Sequence, residues 1–153
     1  MNYIEDELGK FSFDENGKLN SFSDNPAAIY KRGTRIWYKN GEIHRDAGPA
    51  VVYSDGKQEW YKNGKLHRDD GPAIQFPDTD DIVTRRRNEI WYKDGKLHNL
   101  KGPAEKWQDG TERWHIEGKP LTDEFRDMLI DVLKTKNEDS LIAFYNLFLL
   151  KNI

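Results

Sequence analysis

Cysteine is absent from the chain, which excludes disulfides and thiolate metal sites and leaves nothing that requires an oxidising compartment. Long apolar runs are missing too. The longest, Leu141 to Leu150, is broken by Asn146 and is too short to cross a bilayer as a helix. A strong charge of either sign is also lacking. Twenty-four Lys and Arg stand against 27 Asp and Glu, a net charge of -3, which argues against a general nucleic-acid coat or a membrane-surface protein. The opening MNYIEDELGK has neither the basic nor the apolar region of a signal peptide. The expectation is a soluble, cytoplasmic protein with no membrane span. Gly-x-Ser-x-Gly, P-loop and dinucleotide signatures do not occur, so no enzyme and no cofactor are expected.

What the chain does have is repetition. WYKNGEIHRDAGPA from Trp37 to Ala50 returns as WYKNGKLHRDDGPA from Trp60 and as WYKDGKLHNLKGPA from Trp91. Prolines 26, 49, 72 and 103 and tryptophans 37, 60, 91 and 114 keep a 23-residue step, with an eight-residue insertion before Trp91. Such a period marks an architectural unit. Each unit carries tight-turn signals: Asn40-Gly41, Asn63-Gly64, Asp94-Gly95 and Glu117-Gly118 in one series, Arg32-Gly33, Asp55-Gly56 and Asp109-Gly110 in the other. Asn-Gly and Asp-Gly favour two-residue hairpin loops, because both central residues need positive φ. Between hairpins, Gly-Pro-Ala removes a ladder donor and makes the opposite bend. The pattern predicts an antiparallel meander with two strands per repeat.

Counting outward from Asn40-Gly41 sets Tyr38 against Ile43 and Trp37 against His44; the same count from Asp55-Gly56 sets Val51 against Trp60. One face then collects the four repeat tryptophans with Tyr30, Tyr53, Phe76 and Trp107, a core expectation for large aromatic residues. The other face collects Tyr38, Tyr61 and Tyr92 among Lys and Arg. His44, His67 and His98 cannot share one metal, since equivalent residues two strands apart lie about 9.5 Å from each other; each is expected to pair with a Trp across its hairpin.

The flanks differ. Residues 1–24 are acidic and read as a cap hairpin around Asn16-Gly17, residues 25–118 as the repeats, and 119–153 as a helical cap. Phe125, Met128, Leu129, Val132 and Leu133 recur with helical spacing after Thr122, a plausible N-cap, and a second helix, apolar nearly all round, is expected from near Asn137. It closes the sheet, with a homodimer through 137–151 as the alternative. The insertion at 77–89 places Asp78, Asp80 and Asp81 before Arg85, Arg86 and Arg87. It reads either as a longer hairpin with paired arms or as a binding loop.

The step, the hairpins and the Trp60-Tyr61-Lys62-Asn63-Gly64 string resemble the MORN repeat family in a divergent form, with Gly-Pro-Ala where that family has Gly-x-Gly. The resemblance covers residues 26–118. It implies an elongated twisted sheet of hairpins used for protein interaction, of the type seen in accessory proteins of bacteriophages and large viruses. The expected fold is therefore mainly β with C-terminal α, a meander of MORN-like hairpin repeats capped by two C-terminal helices. The expected function is non-enzymatic binding, and inhibition, of a host protein in the host cytoplasm. Tyr38, Tyr61 and Tyr92 would serve as anchors, and Arg85, Arg86 and Arg87 as donors to carboxylates or phosphates. The alternative is sequestration of a nucleotide or other anion between aromatic rows and an arginine. Nucleic-acid binding draws on residues 85–101, where six basic residues face two acidic ones.

Overall fold

A computed structural model describes residues 2–77 and 87–151, with the backbone alone described at 87 and 88. In chain order the strands begin β1 (Asn2–Glu5), β2 (Gly9–Phe13), β3 (Ala28–Tyr30), β4 (Arg35–Ile36), β5 (Tyr38–Lys39), β6 (Glu42–Ile43), β7 (Val51–Val52), β8 (Gln58–Glu59) and β9 (Tyr61–Lys62). They continue as β10 (Lys65–Leu66), β11 (Ile74–Gln75), β12 (Arg87–Ile90), β13 (Tyr92–Lys93), β14 (Lys96–Leu97), β15 (Glu105–Trp107), β16 (Glu112–Arg113), β17 (His115–Ile116) and β18 (Lys119–Pro120). Helices α1 (Asp123–Thr135) and α2 (Glu138–Lys151) follow. The protein is mainly β, one ten-stranded antiparallel sheet of order β1-β2-β3-β4-β7-β8-β11-β12-β15-β16, with two C-terminal helices.

The expected two strands per repeat become four. The Trp37 N–H donates to the Ala50 carbonyl at 2.8 Å, so the chain leaves the sheet after β4, makes the hairpin β5–β6, and re-enters as β7, which pairs directly with β4. Trp60 with Ala73 and Trp91 with Ala104 repeat that junction at 2.8 and 2.7 Å. Ala50, Ala73 and Ala104 are completely buried there. A larger side chain would have no room.

The two turn series have different geometry, and this moves the register. Asn40 and Gly41 both have positive φ, 55° and 85°, as do Asn63, Asp94 and Glu117 with the glycines that follow them. These are the expected two-residue loops, and Tyr38 lies opposite Ile43. In the other series only the glycine is left-handed; Gly56 has φ 88° while Asp55 does not have a positive φ. Tyr53 N–H bonds to Lys57 O at 2.9 Å, closing a three-residue loop in which the Asp55 carboxylate accepts the Lys57 N–H. Val51 therefore faces Glu59 and not Trp60. One residue of slip turns every side chain over, and the tryptophans do not share a face with Tyr53.

The inner row of the sheet runs Ala28, Ile36, Val51, Glu59, Ile74, Ile90 and Glu105. It is buried or half-buried throughout, whereas the alternate row, which includes Ile29, Arg35, Gln75 and Lys106, is largely exposed. The buried Glu59 carboxylate interrupts an apolar row and accepts bonds from the Tyr53 and Tyr61 hydroxyls at 3.1 and 3.2 Å, with Lys57 Nζ at 2.8 Å. The insertion joins adjacent antiparallel strands β11 and β12, with Ile74 opposite Ile90.

Thr122 caps α1 by accepting from Phe125 N, Asp123 and Glu124 occupy its first turn, and Lys136 ends it in the left-handed conformation. The Asn137 side chain accepts from Asp139 N at 2.9 Å at the start of α2. The helices cover the last hairpin and not a sheet face: Ile116, Phe125, Leu129, Phe144 and Phe148 form one cluster, with Trp114 and Leu121 packed against it. That covers one side of α2 and leaves Ile142, Leu149 and Leu150 exposed.

Candidate partner-binding face

The hairpins β5–β6, β9–β10, β13–β14 and β17–β18 form a second ladder beside the sheet. The glycine N–H at each turn reaches back to the preceding hairpin: Gly64 N to Ile43 O at 2.9 Å, Gly95 N to Leu66 O and Gly118 N to Leu97 O at 2.8 Å. Arg45 N to Tyr61 O and Arg68 N to Tyr92 O, at 3.4 and 3.3 Å, complete the contact.

The histidines lock this stacking. Each pairs with its Trp across the hairpin through the backbone, His44 N to Trp37 O at 3.0 Å, as do His67 with Trp60 and His98 with Trp91. The Asn63 N–H donates to His44 Nδ1 at 3.1 Å and the Asp94 N–H to His67 Nδ1 at 3.2 Å. His44 Nε2 faces Asp46 at 2.9 Å. At His67 the Asp69 carboxylate is 3.2 Å from Nε2, close enough for an ion pair but out of line for a hydrogen bond. The arginines brace the bends. Arg45 lies 3.9 Å over Trp37 and Arg68 4.0 Å over Trp60, and each donates to the proline carbonyl of its own Gly-Pro-Ala. Asp24 takes Arg45 bidentately at 2.8 and 2.7 Å, and that guanidinium holds its carboxyl below the usual range.

His98 joins this ladder to the helices. Glu117 N–H donates to its Nδ1 at 3.3 Å, and the Glu117 carboxylate accepts from the Tyr145 hydroxyl of α2 at 2.9 Å. Burial lowers the imidazole pKa from its ordinary 6.5, against the opposing pull of Glu117 and Asp94 and with the help of Lys93. A depressed histidine favours the neutral form in the folded chain, so its contribution is complete above 6.5 and is lost as pH falls below that value. The melting temperature should decline as pH drops from 7 towards 5, and His98→Asn, which keeps an acceptor at the Nδ1 position, should flatten that decline. An equally steep decline in the variant would place its origin elsewhere.

The outer side of the ladder is lysine-rich. The two-residue loops set Lys62 opposite Lys65 and Lys93 opposite Lys96, all exposed. The post-turn residue also lies over the next turn's glycine: a Cβ added at Gly41, Gly95 or Gly118 would lie 3.5, 3.8 or 3.7 Å from the stem of Lys18, Lys65 or Lys96. Lys18, Glu42, Lys65 and Lys96 thus form one column, basic except at Glu42, which lies over Gly64. Beside it lie three grooves of matching construction. One of about 510 Å³ is bordered by Trp37, Tyr38, Lys39 and Asp46. The next, of about 560 Å³, is bordered by Trp60, Tyr61, Lys62 and Asp69. The third, of about 180 Å³, is bordered by Trp91, Lys93 and His98.

Tyr38, Tyr61 and Tyr92 occupy equivalent, half-buried positions on successive hairpins. The Tyr61 hydroxyl is directed at Glu59, and burial first, then the charge of Glu59, pushes its pKa up to about 12. It can offer a partner its ring edge. Arg85 and Arg86 lie outside the described residues; Arg87 opens β12, where its backbone pairs with Trp107 ahead of a bulge. The lysine pairs were missed in the sequence, although the count that sets Tyr38 against Ile43 also sets Lys62 against Lys65. No protein-family model, no curated protein and no solved structure matches the chain.

Proposed function

We propose that the chain is a non-enzymatic protein-binding module whose hairpin ladder docks an acidic surface of a partner protein. The observation that carries this reading is the Lys62–Lys65 and Lys93–Lys96 opposition in consecutive hairpins. Like charges directly across a strand pair are destabilising; Glu117, 3.6 Å from Lys96, offsets part of this in the second pair, and what remains of the conflict, kept in successive repeats, is what a functional surface, not a fold, requires. Acidic side chains of a partner would relieve it, while the half-buried tyrosines and the adjoining grooves supply rigid relief for packing. The repeats are read as a divergent MORN-like scaffold. Carried over from that resemblance, the mode of action is occlusion of a host protein by a phage-type accessory protein.

Nucleotide sequestration is the weaker reading. A base needs a free aromatic face, and Arg45 and Arg68 already cover Trp37 and Trp60.

The test is affinity capture from bacterial lysate with the wild-type chain and with Lys62, Lys65, Lys93 and Lys96 all changed to Glu. The expected result is a protein retained by the wild type, released by rising salt and absent from the variant, at a melting temperature within a few degrees of wild type. Equal retention by both chains would sink this reading. Stabilisation by free nucleotides with no captured protein would replace it by the sequestering one.

A further inference from the structure

The sheet has two ends, and they are finished differently. At one end β16 is two residues long, and both, Glu112 and Arg113, are charged and exposed. A short, charged edge discourages further pairing. At the other end β1 is four residues long, all of them exposed, with Tyr3 at 67% and Ile4 at 51%. It has no proline, lysine or bulge. Its one charged side chain, Glu5, stands at the end of the strand, paired with Lys10 of β2 at 3.2 Å, and leaves Asn2, Tyr3 and Ile4 without a charge.

The direction of its backbone groups follows from two bonds. Asp6 N–H donates to Gly9 O at 3.0 Å, closing the β1–β2 hairpin, and Ser12 N–H donates to Ala27 O at 2.8 Å, away from β1. Ser12 lies opposite Tyr3. Since neighbouring residues of a strand point their N–H and C=O to opposite sides, Asn2 and Ile4 bond to β2, and Tyr3 and Glu5 direct theirs outward.

We propose that β1 is the dimerisation edge of this protein, pairing antiparallel with β1 of a second copy about a two-fold axis at Ile4. The register is self-complementary. Tyr3 of each chain pairs with Glu5 of the other, so the outward N–H and C=O groups of both residues are satisfied. Ile4 meets its own counterpart in the close, non-hydrogen-bonded position. Ile4 belongs to the inner row that continues through Phe11, Ala28, Ile36 and Val51. The second copy extends that row across the axis and covers an isoleucine that otherwise ends it in water. Charge favours the same register: a slip that set Glu5 against Glu5 would confront like charges, whereas here the acidic run Glu5, Asp6 and Glu7 of each copy lies at opposite ends of the seam. So short a seam falls below the area of a standard stable interface, and the dimer is concentration-dependent.

The test is sedimentation equilibrium of the full chain over a range of concentrations. The wild-type mass should rise from 18.0 kDa towards twice that value. Ile4→Lys sets two ammonium groups at the closest cross-strand position, and Tyr3→Pro removes an outward donor without touching the bonds to β2. Each should raise the dissociation constant at least about tenfold, equivalent to loss of a modest number of edge contacts, with unchanged melting. Leu150→Glu, on the exposed side of α2, should leave the dimer intact. A wild-type chain that stays monomeric overturns the proposal, and so does a dimer that survives both β1 variants. A dimer lost only with Leu150→Glu would assign the contact to α2.

Discussion

Phe148→Ala is expected to destabilise the protein by about 3–5 kcal/mol, the range for removing a fully buried aromatic side chain. Phe148 is 1% exposed and meets Phe125 edge-on at 5.4 Å between ring centres, in the cluster that joins both helices to Ile116. Neither helix has another attachment of comparable size among the described residues. The substitution opens a cavity at the point where α1, α2 and the last hairpin meet. Urea unfolding followed by circular dichroism at a helical wavelength should show the midpoint shift, and Leu150→Ala, at a site 71% exposed, should stay within about 0.5 kcal/mol of wild type. A loss below about 1 kcal/mol for Phe148→Ala, against that expected range, would mean that the helices are held by something other than this cluster.

Glu59→Ala should be the next most damaging change, at about 2–3 kcal/mol. The carboxylate sits where other repeats have Ile36 or Ile90, and it is the common acceptor of two tyrosine hydroxyls and Lys57. Its removal leaves an ammonium and two hydroxyls facing an apolar row, and Lys57, about a quarter exposed, recovers only part of its solvation from water. Glu59→Gln keeps an acceptor for the tyrosines and should lose roughly half as much. Chemical denaturation of the three proteins at one pH checks the order. Equal stability of the Gln and Ala variants would show that the charge, and not the hydroxyl acceptance, holds the network.

The sequence made the helices and one turn series legible for the same reason: each was encoded locally. Thr122 with Asp123 and Glu124, or Asn40 with Gly41, specify their geometry within a few residues. The other turn series was misread because Asp55-Gly56 is compatible with both a two-residue and a three-residue loop, and only the ladder registered across the sheet decides between them. From that one slip came the mistaken grouping of Trp60 with Tyr53. The excursion of each hairpin from the sheet was equally hidden, since the Trp37 N–H to Ala50 O bond joins residues thirteen positions apart in sequence. In the candidate face, the tyrosines were found by their repetition. The lysines were passed over because exposed lysines are common, and only their direct opposition distinguishes them.

The bonds from each turn glycine to the hairpin before it have a further consequence. Every inter-hairpin bond of this kind joins immediate neighbours, so the ladder is a one-dimensional array in which stability is a sum of unit and nearest-neighbour contributions. Such an array can be lengthened or shortened by a whole 23-residue unit, set by the tryptophan step, with the same joints re-forming on either side of the change. Units are interchangeable in a way that the residues within one unit are not. The length of the hairpin ladder is then a matter of copy number, adjustable by duplication or deletion in the gene without any redesign of the ends that close it.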